Sequence, residues 1–575
     1  MKYIRKFNTP EDREAYMASV PVPDFPYMHL VGSTGEVKFS SPEVDIPMYI
    51  HALEPLTVKF NNAYEYSKDN VTWTSANGST SISATEGEKV FFRASGLTAS
   101  SSNGIGSFTI LNGKCKVGGN SMSLIYGADY KGQTEITQAY QFYKLFATSY
   151  NYGNALCIVD ASNLVLPATT LKPRCYQYMF DYCSSLVNAP ALPATSLKNY
   201  CYEGMFRNCW SLVNAPALPA TTLASVCYGS MFQNCTSLVT APALPATELA
   251  DAVYSSNPVI YDGCYQNMFN GCSSLINAPA LPALTLKESC YRYMFQNCTS
   301  LVNAPKLPAT NLAEHCYSYM FSGCTSLINA PALPATTLGE SKGTNGDYAG
   351  CYQGMFQSCT NLINAPELPA TSLKAACYRA MFMNCSSLIN VPSLPVATLA
   401  IQCCKDMFSG CASLVTAPNL PSTTLGTSCY SHMFQNCTSL VNVSDLPATQ
   451  LENYCYEYMF SGCSSLVNAP ALPATSLKYN CYQYMFQNCS NLVNAPILPA
   501  TSLIDSCYRY MFSGCAKVAY IKAMFKTAPS TSYLNSWVDG VAEAGTFVKN
   551  SSATWADSFG ISAIPEGWTV ELADA

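Results

Sequence analysis

The sequence predicts an α/β solenoid of thirteen regular 26-residue units plus a degenerate cap repeat, preceded by a small β-sandwich and closed by an α+β C-terminal cap. Three observations carry this. Leading cysteines fall at 175, 201, 227, 264, 290, 316, 351, 377, 403, 429, 455, 481 and 507. Ten of those twelve intervals are 26 residues, and the other two are 37 and 35. Each leading cysteine has a partner eight residues later, from Cys183 to Cys515. A fixed period of this length means units that bury their apolar faces only by stacking on neighbours. Function is then expected on an extended surface.

Residues 1–45 read as an N-terminal docking module. Thr9-Pro10-Glu11-Asp12 supplies a cap, a first-turn proline and acids, which predicts a short helix to about Ser19. Pro21, Pro23 and Pro26 enforce an extended run into His29-Leu30-Val31, and Gly32-Ser33-Thr34-Gly35 is a hairpin turn into Val37-Lys38-Phe39. Residues 46–135 carry short β-type runs at 56–60, 71–74, 89–93, 107–110 and 122–126, separated by Asn/Gly/Ser turns, as in a sandwich. The solenoid, 136–515, opens on an atypical unit with Tyr140 to Phe146 and Leu166 and Leu171. Residues 516–575 predict a helix over 533–541 and strands over 545–549 and 567–571. Trp537, Trp555 and Trp568 there close the open end.

Within a unit, Cys175, Met179 and Cys183 are spaced i, i+4, i+8, on one face of a short helix, with Tyr176 and Phe180 beside them. A short strand follows at 186–188, limited by Pro190 and Pro193. At about 4.8 Å between neighbouring strands, the array is about 60 Å long. Of 29 cysteines, 26 are repeat positions. A helix would hold Cys175 and Cys183 about 12 Å apart, beyond the roughly 7 Å a disulfide spans. They are expected to be buried, reduced hydrophobes; pairing between repeats stays open. C-x7-C also lacks the close ligand spacing of zinc sites.

Charge is sparse, at 11% with a net −6, and there is no basic stripe, so nothing supports a nucleic-acid partner. No apolar stretch is long enough to span a bilayer. The start at Met1 shows no secretory pattern, which leads to the expectation of export by another route. The four histidines (29, 51, 315, 432) sit in no nucleophile, metal or carboxylate-pair motif. A non-enzymatic protein is expected, with no catalytic, cofactor or metal residues.

Two features are candidates for recognition. An Asn ladder (188, 214, 277, 303 and onward) either offers an amide comb to sugar hydroxyls or satisfies backbone groups at each turn. The variable positions before each leading cysteine, and those after the first proline, are expected to face solvent. The long intervals insert at that pre-cysteine site, at 251–263 and 339–350, on one edge. They carry Asp251, Tyr254, Tyr261, Asp262, Asp347 and Tyr348, while Lys306 and Glu367 replace the usual post-proline Ala. Such insertions frame a binding face or are tolerated drift.

The unit Met-Phe-x-x-Cys-x-x-Leu followed by Leu-Pro-Ala-Thr-x-Leu resembles the BspA-type leucine-rich repeat, with Met in place of the family's Ala and a longer period. The resemblance implies a surface-displayed recognition solenoid that binds host proteins or glycans. Residues 1–45 resemble leaders on structural proteins of Bacteroidales phages. That resemblance implies a virion fibre or decoration protein, assembled in the bacterial cytoplasm, docked to other virion proteins through 1–45 and binding host-surface glycan or protein. A symmetric homo-oligomer follows by analogy with fibres. The alternative is a BspA-like adhesin at the bacterial cell surface.

Overall fold

The computed structural model describes residues 28–30, 37–39, 42–147, 154–256, 259–340, 350–394 and 399–573. The helix expected near residues 9–19, the turn at 32–35, and Asp347 and Tyr348 lie outside them. Met28–Leu30 and Val37–Phe39 form the expected antiparallel hairpin.

Two sheets follow. One has six strands, in the order Ile158–Val165, Cys115–Asn120, Tyr49–Ala52, Lys89–Arg93, Tyr64–Ser67, Thr74–Ala76. The other has three: Ser81–Ala84, Leu56–Phe60, Phe108–Leu111. Rings join them, with Phe92 and Phe108 centroids 4.9 Å apart and Phe60 and Phe92 6.1 Å apart. Two expected strands differ. Val71 is 80% exposed in a bend, because the Asp69 carboxylate caps the amides of Val71 and Thr72 and holds the turn open. Residues 123–126 are a helical turn, closed by Ile125 and Tyr126 amides on the Met122 carbonyl.

Each regular unit departs from the expected helix-plus-strand. The stretch from Cys175 to Cys183 is a spiral of overlapping tight turns. Met179 N–H donates to the Tyr176 carbonyl and Cys183 N–H to that of Phe180, three residues back rather than four. The alternate amides leave the unit: Tyr176, Tyr178 and Phe180 donate to the carbonyls of Cys201, Glu203 and Met205 in the next one. Every fourth residue is left-handed, with φ +58° at Arg174, +56° at Tyr178 and +63° at Tyr182. No α-helix can continue through such residues. A four-residue spiral nevertheless returns positions i, i+4 and i+8 to the same side. Cys175, Met179, Cys183, Tyr176 and Phe180 are therefore all fully buried, as the periodicity required.

The spiral also explains the residue before each second cysteine. It is Asn or Gly in eleven of thirteen units, and these have positive φ. Asn and Gly are the residues that adopt this conformation at least cost. In five successive-unit pairs, such as Asn384 and Gly410, the amide of one lies where a Cβ of the next would stand.

Buried columns run the length of the solenoid. Phe rings stack from Phe146 through Phe180, Phe206 and Phe232 to Phe512, with centroids mostly 5.6–5.8 Å apart. A Tyr column runs parallel to it and is interrupted by Cys404, which occupies a Tyr position between Tyr378 and Tyr430. All 29 cysteines are free and buried. Those of the second column donate S–H to a Phe carbonyl of the preceding unit, as Cys209 does to Phe180 at 3.2 Å. Helix length is not what separates Cys175 from Cys183, since the chain between them is no helix; each second sulfur instead donates to a carbonyl.

The expected strand shrinks to a single parallel bridge per unit, such as Asn188↔Asn214 and Asn364↔Asn390. Proline two residues on removes the amide that would extend it. At its start the ladder continues from the sandwich sheet, since Ile158–Val165 pairs with Cys115–Asn120 on one side and bridges to Asn188 on the other. At its end the strands Tyr520–Ala523, Thr546–Lys549 and Thr569–Leu572 are parallel and carry the ladder on. The C-terminal region is thus a continuation of the solenoid rather than an α+β cap. The helix expected over 533–541 is confined to Thr531–Leu534, since turns resume there: Trp537 accepts from Phe512 as earlier units accept from theirs. The large indoles still seal the interior, with Trp537 fully buried and its Nε1 donating to Ala563 at 2.7 Å.

Candidate functional site

The two long edges of the repeat stack differ in character. The bridge edge carries rows of identical exposed side chains. Leu186 points into the core, while Val187 and Asn188 point out. The aliphatic row comprises twelve β-branched residues, from Val187 to Val493, each 37–53% exposed. Beside it run ten Asn and two Thr, all exposed. Their amides pair with one another rather than with the backbone. Asn303 Nδ2 donates to Asn277 Oδ1 at 2.9 Å, Asn390 to Asn364 at 2.6 Å, and Asn442 to Thr416 Oγ1 at 3.1 Å. This departs from the backbone-satisfying reading, since the amides bond along the row and still face solvent. Each engaged Asn keeps a second N–H and an acceptor lone pair free for water or a ligand. A Thr row, from Thr169 through Thr195 and Thr221 to Thr501 and broken at Leu284, is exposed one turn further along.

Shallow clefts open on this edge where units separate. One, of about 260 Å³, lies between Val302-Asn303-Ala304 and Ile328-Asn329-Ala330-Pro331. Another, of about 440 Å³, lies between Ala241 to Pro245 and Pro279 to Pro282.

The spiral edge holds the charged and aromatic variation. Tyr458 stacks at 4.7 Å on His432 and at 4.2 Å on Tyr484, which stacks on Tyr510 at 4.7 Å; all four rings are half-buried. At the other end Arg174 lies 3.7 Å over Tyr200, and Arg207 forks onto Asp181 at 2.6 and 3.0 Å. Burial raises the carboxyls of Glu203, Asp406 and Glu457 above the ordinary range, and pushes His432 down to about 4. Ser431 Oγ lies 2.6 Å from His432 Nδ1, which is 3.9 Å from Asp406. The trio has the residue types of a nucleophile and its base, but Ser431 is fully buried, so no substrate carbonyl reaches its oxygen.

The sequence-selected residues divide between these edges. Asp251 is exposed and pairs with Lys287 at 2.8 Å at the base of the insertion hairpin, Val253–Ser256 with Val259–Asp262. Tyr254 and Tyr261 are cross-strand partners in that hairpin. Asp262 is half-buried, and desolvation raises its carboxyl against the pull of Arg292. Lys306 and Glu367 instead lie exposed on the bridge edge, two units apart. The structure does not bring the two groups together. The pre-cysteine positions are not uniformly solvent-facing either: Ser289, Glu314, His315 and Asn480 are buried. Residues 289, 315 and 480 start the spiral with positive φ, which tucks their side chains between stacked units. The exposed aliphatic row was missed in the sequence. Its signal was there: a position held to Val or Ile in twelve units, directly after the inward Leu.

Residues 260–340 and 403–536 match the model of the BspA type leucine rich repeat region, in six copies. No protein of curated function matches the sequence. Among solved structures, the chain is similar to a leucine rich cell surface protein from Faecalibacterium prausnitzii A2-165, at 17% identity over 75% of this chain and 96% of that one, with a TM-score of 0.30. It is also similar to a TLR13–ssRNA13 complex, at 11% identity over 76% of this chain and 54% of that one, with a TM-score of 0.20. Among the described residues, no helix is long and apolar enough to cross a membrane.

Proposed function

We propose that this is a non-enzymatic recognition protein of a cell surface, whose solenoid is a rigid rack for a repetitive binding face. One observation carries the reading: the bridge edge repeats an exposed β-branched aliphatic twelve times, beside an Asn in ten units and a Thr in two, on a scaffold whose interior columns barely vary. The match to BspA-type repeats supports a surface or binding role. Purified full chain, fluorescently labelled, should bind bacterial or host cells saturably. Cells that retain no more label than with a solenoid of unrelated sequence would remove this reading.

A second reading, a virion fibre or decoration protein docked through residues 1–45, draws on the thiol interior. Free, buried sulfurs bonded to carbonyls suit assembly in a reducing cytoplasm. Detecting the chain in purified virions would favour it over the adhesin.

A further inference from the structure

We infer that the bridge edge binds an uncharged, linear, β-linked polysaccharide laid along the solenoid axis, across the Val302–Asn303 and Ile328–Asn329 rungs. The inference rests on the recognition reading above and names its ligand class.

The first argument is charge. The eight-residue segment from each second cysteine to the position of the following proline (183–190 and its equivalents through 489–496) occurs twelve times without one Asp, Glu, Lys or Arg. At the chain's own 11% charged residues, 96 positions would carry about ten. Exposed ladder edges are ordinarily guarded by Lys or other charges against adhesion. Here the guard is missing from a strip that presents aliphatic side chains to water, with charges such as Lys306 and Glu367 just past the segment's proline. A neutral strip has no Coulombic pull on sulfated or sialylated chains, on teichoic-type phosphates or on nucleic acid.

The second argument is chemistry. Ten of the twelve rungs offer a β-branched aliphatic beside an amide with one spare N–H and one spare lone pair, and two carry Thr there. A pyranose has the matching pair: a C–H face, and hydroxyls that both donate and accept. The third argument is register. Rungs repeat about every 4.8 Å. An extended peptide advances about 3.3 Å per residue and so cannot set one residue on every rung. An extended β-linked hexose chain advances by nearly one rung per sugar, so consecutive sugars meet consecutive amides. The cleft of about 260 Å³ at Val302, Asn303, Ile328 and Asn329 is where a ring can sink between rungs.

Affinity electrophoresis of the full chain in gels containing soluble mixed-linkage β-glucan, α-linked dextran, polygalacturonate or heparin tests this. Retardation by the β-glucan is expected, unchanged from low to high salt, with none by heparin. The double variant Val302→Lys/Ile328→Lys changes two half-exposed side chains, so its circular dichroism and melting should match the parent, while β-glucan affinity falls about tenfold or more. Lys198→Glu, on another edge, should leave it unchanged. Cell binding without retardation by any neutral glycan would overturn the inference and spare the recognition reading. So would retardation by heparin that fades with salt, or a parent dimer that the double Lys variant dissolves. Loss of cell binding altogether removes both.

Discussion

The spiral edge and the bridge edge of this solenoid are built from the same repeat and solve opposite problems. On the spiral edge nearly every amide is committed, half within the unit and half to the next, and the side chains between are buried Phe, Tyr, Met and Cys. On the bridge edge pairing shrinks to isolated parallel bridges, and side chains of one kind stand in rows in solvent. Variation is tolerated where local burial can absorb it, as at Arg207–Asp181. It is nearly absent from the exposed rows, where no core demands identity. That contrast is why binding is assigned to the uniform edge.

Mutations should separate the edges sharply. Phe382→Ala opens a void between stacked rings and should cost about 3–5 kcal/mol. Because a stack of repeats unfolds by neighbours, hydrogen exchange should rise most in the adjoining units. Ile389→Ala, on the half-exposed row of the same unit, should cost under about 1 kcal/mol by urea unfolding. Comparable losses at both sites would erase the distinction.

Of the two edges, acid should strike the spiral edge. Burial, with Arg292 nearby, pushes His315 down to about 4 from an unfolded value of 6.5. The unfolded chain therefore takes up that proton first. The stability His315 contributes is complete above pH 6.5 and is lost as pH falls toward 4, by about 3 kcal/mol. His315→Gln should flatten that part of the stability profile measured by denaturant midpoint. An unchanged profile would show that Glu314, 3.6 Å from the imidazole, holds the charge in the fold.

Backbone geometry gives the smaller effects. Gly410→Ala places a methyl against the Asn384 amide at φ +76° and should lower stability by about 2 kcal/mol. Val226 holds a left-handed φ of +56°, unusual for a branched side chain. Val226→Asn should raise stability by about 1 kcal/mol in thermal melts. A loss at Val226 would mean that its packing outweighs the backbone strain.

Some of this was legible in the residues and some was not. The four-residue spacing of Cys175, Met179 and Cys183 correctly marked one buried face, but a helix and a four-residue turn spiral return the same positions to it. The Asn or Gly before each second cysteine distinguishes them, since a helix interior does not ask for left-handed residues. The amide ladder was visible as a period, yet its partners were misjudged, because spacing along the chain does not say whether an Asn meets backbone or another Asn. The insertion residues looked like one site, but Asp251 and Asp262 of the first insertion fall on a different edge from Lys306 and Glu367.

By itself the sequence determined that the chain stacks, which columns fill the interior, and that the thiols belong to that interior. Period and hydrophobicity suffice for this, because burial in a solenoid depends only on position within the unit. Only the tertiary structure decided the backbone path and the exposed face. Each unit's amides are satisfied by the next unit 26 residues away, and a hydrogen bond across that gap leaves no local mark that a single repeat can reveal.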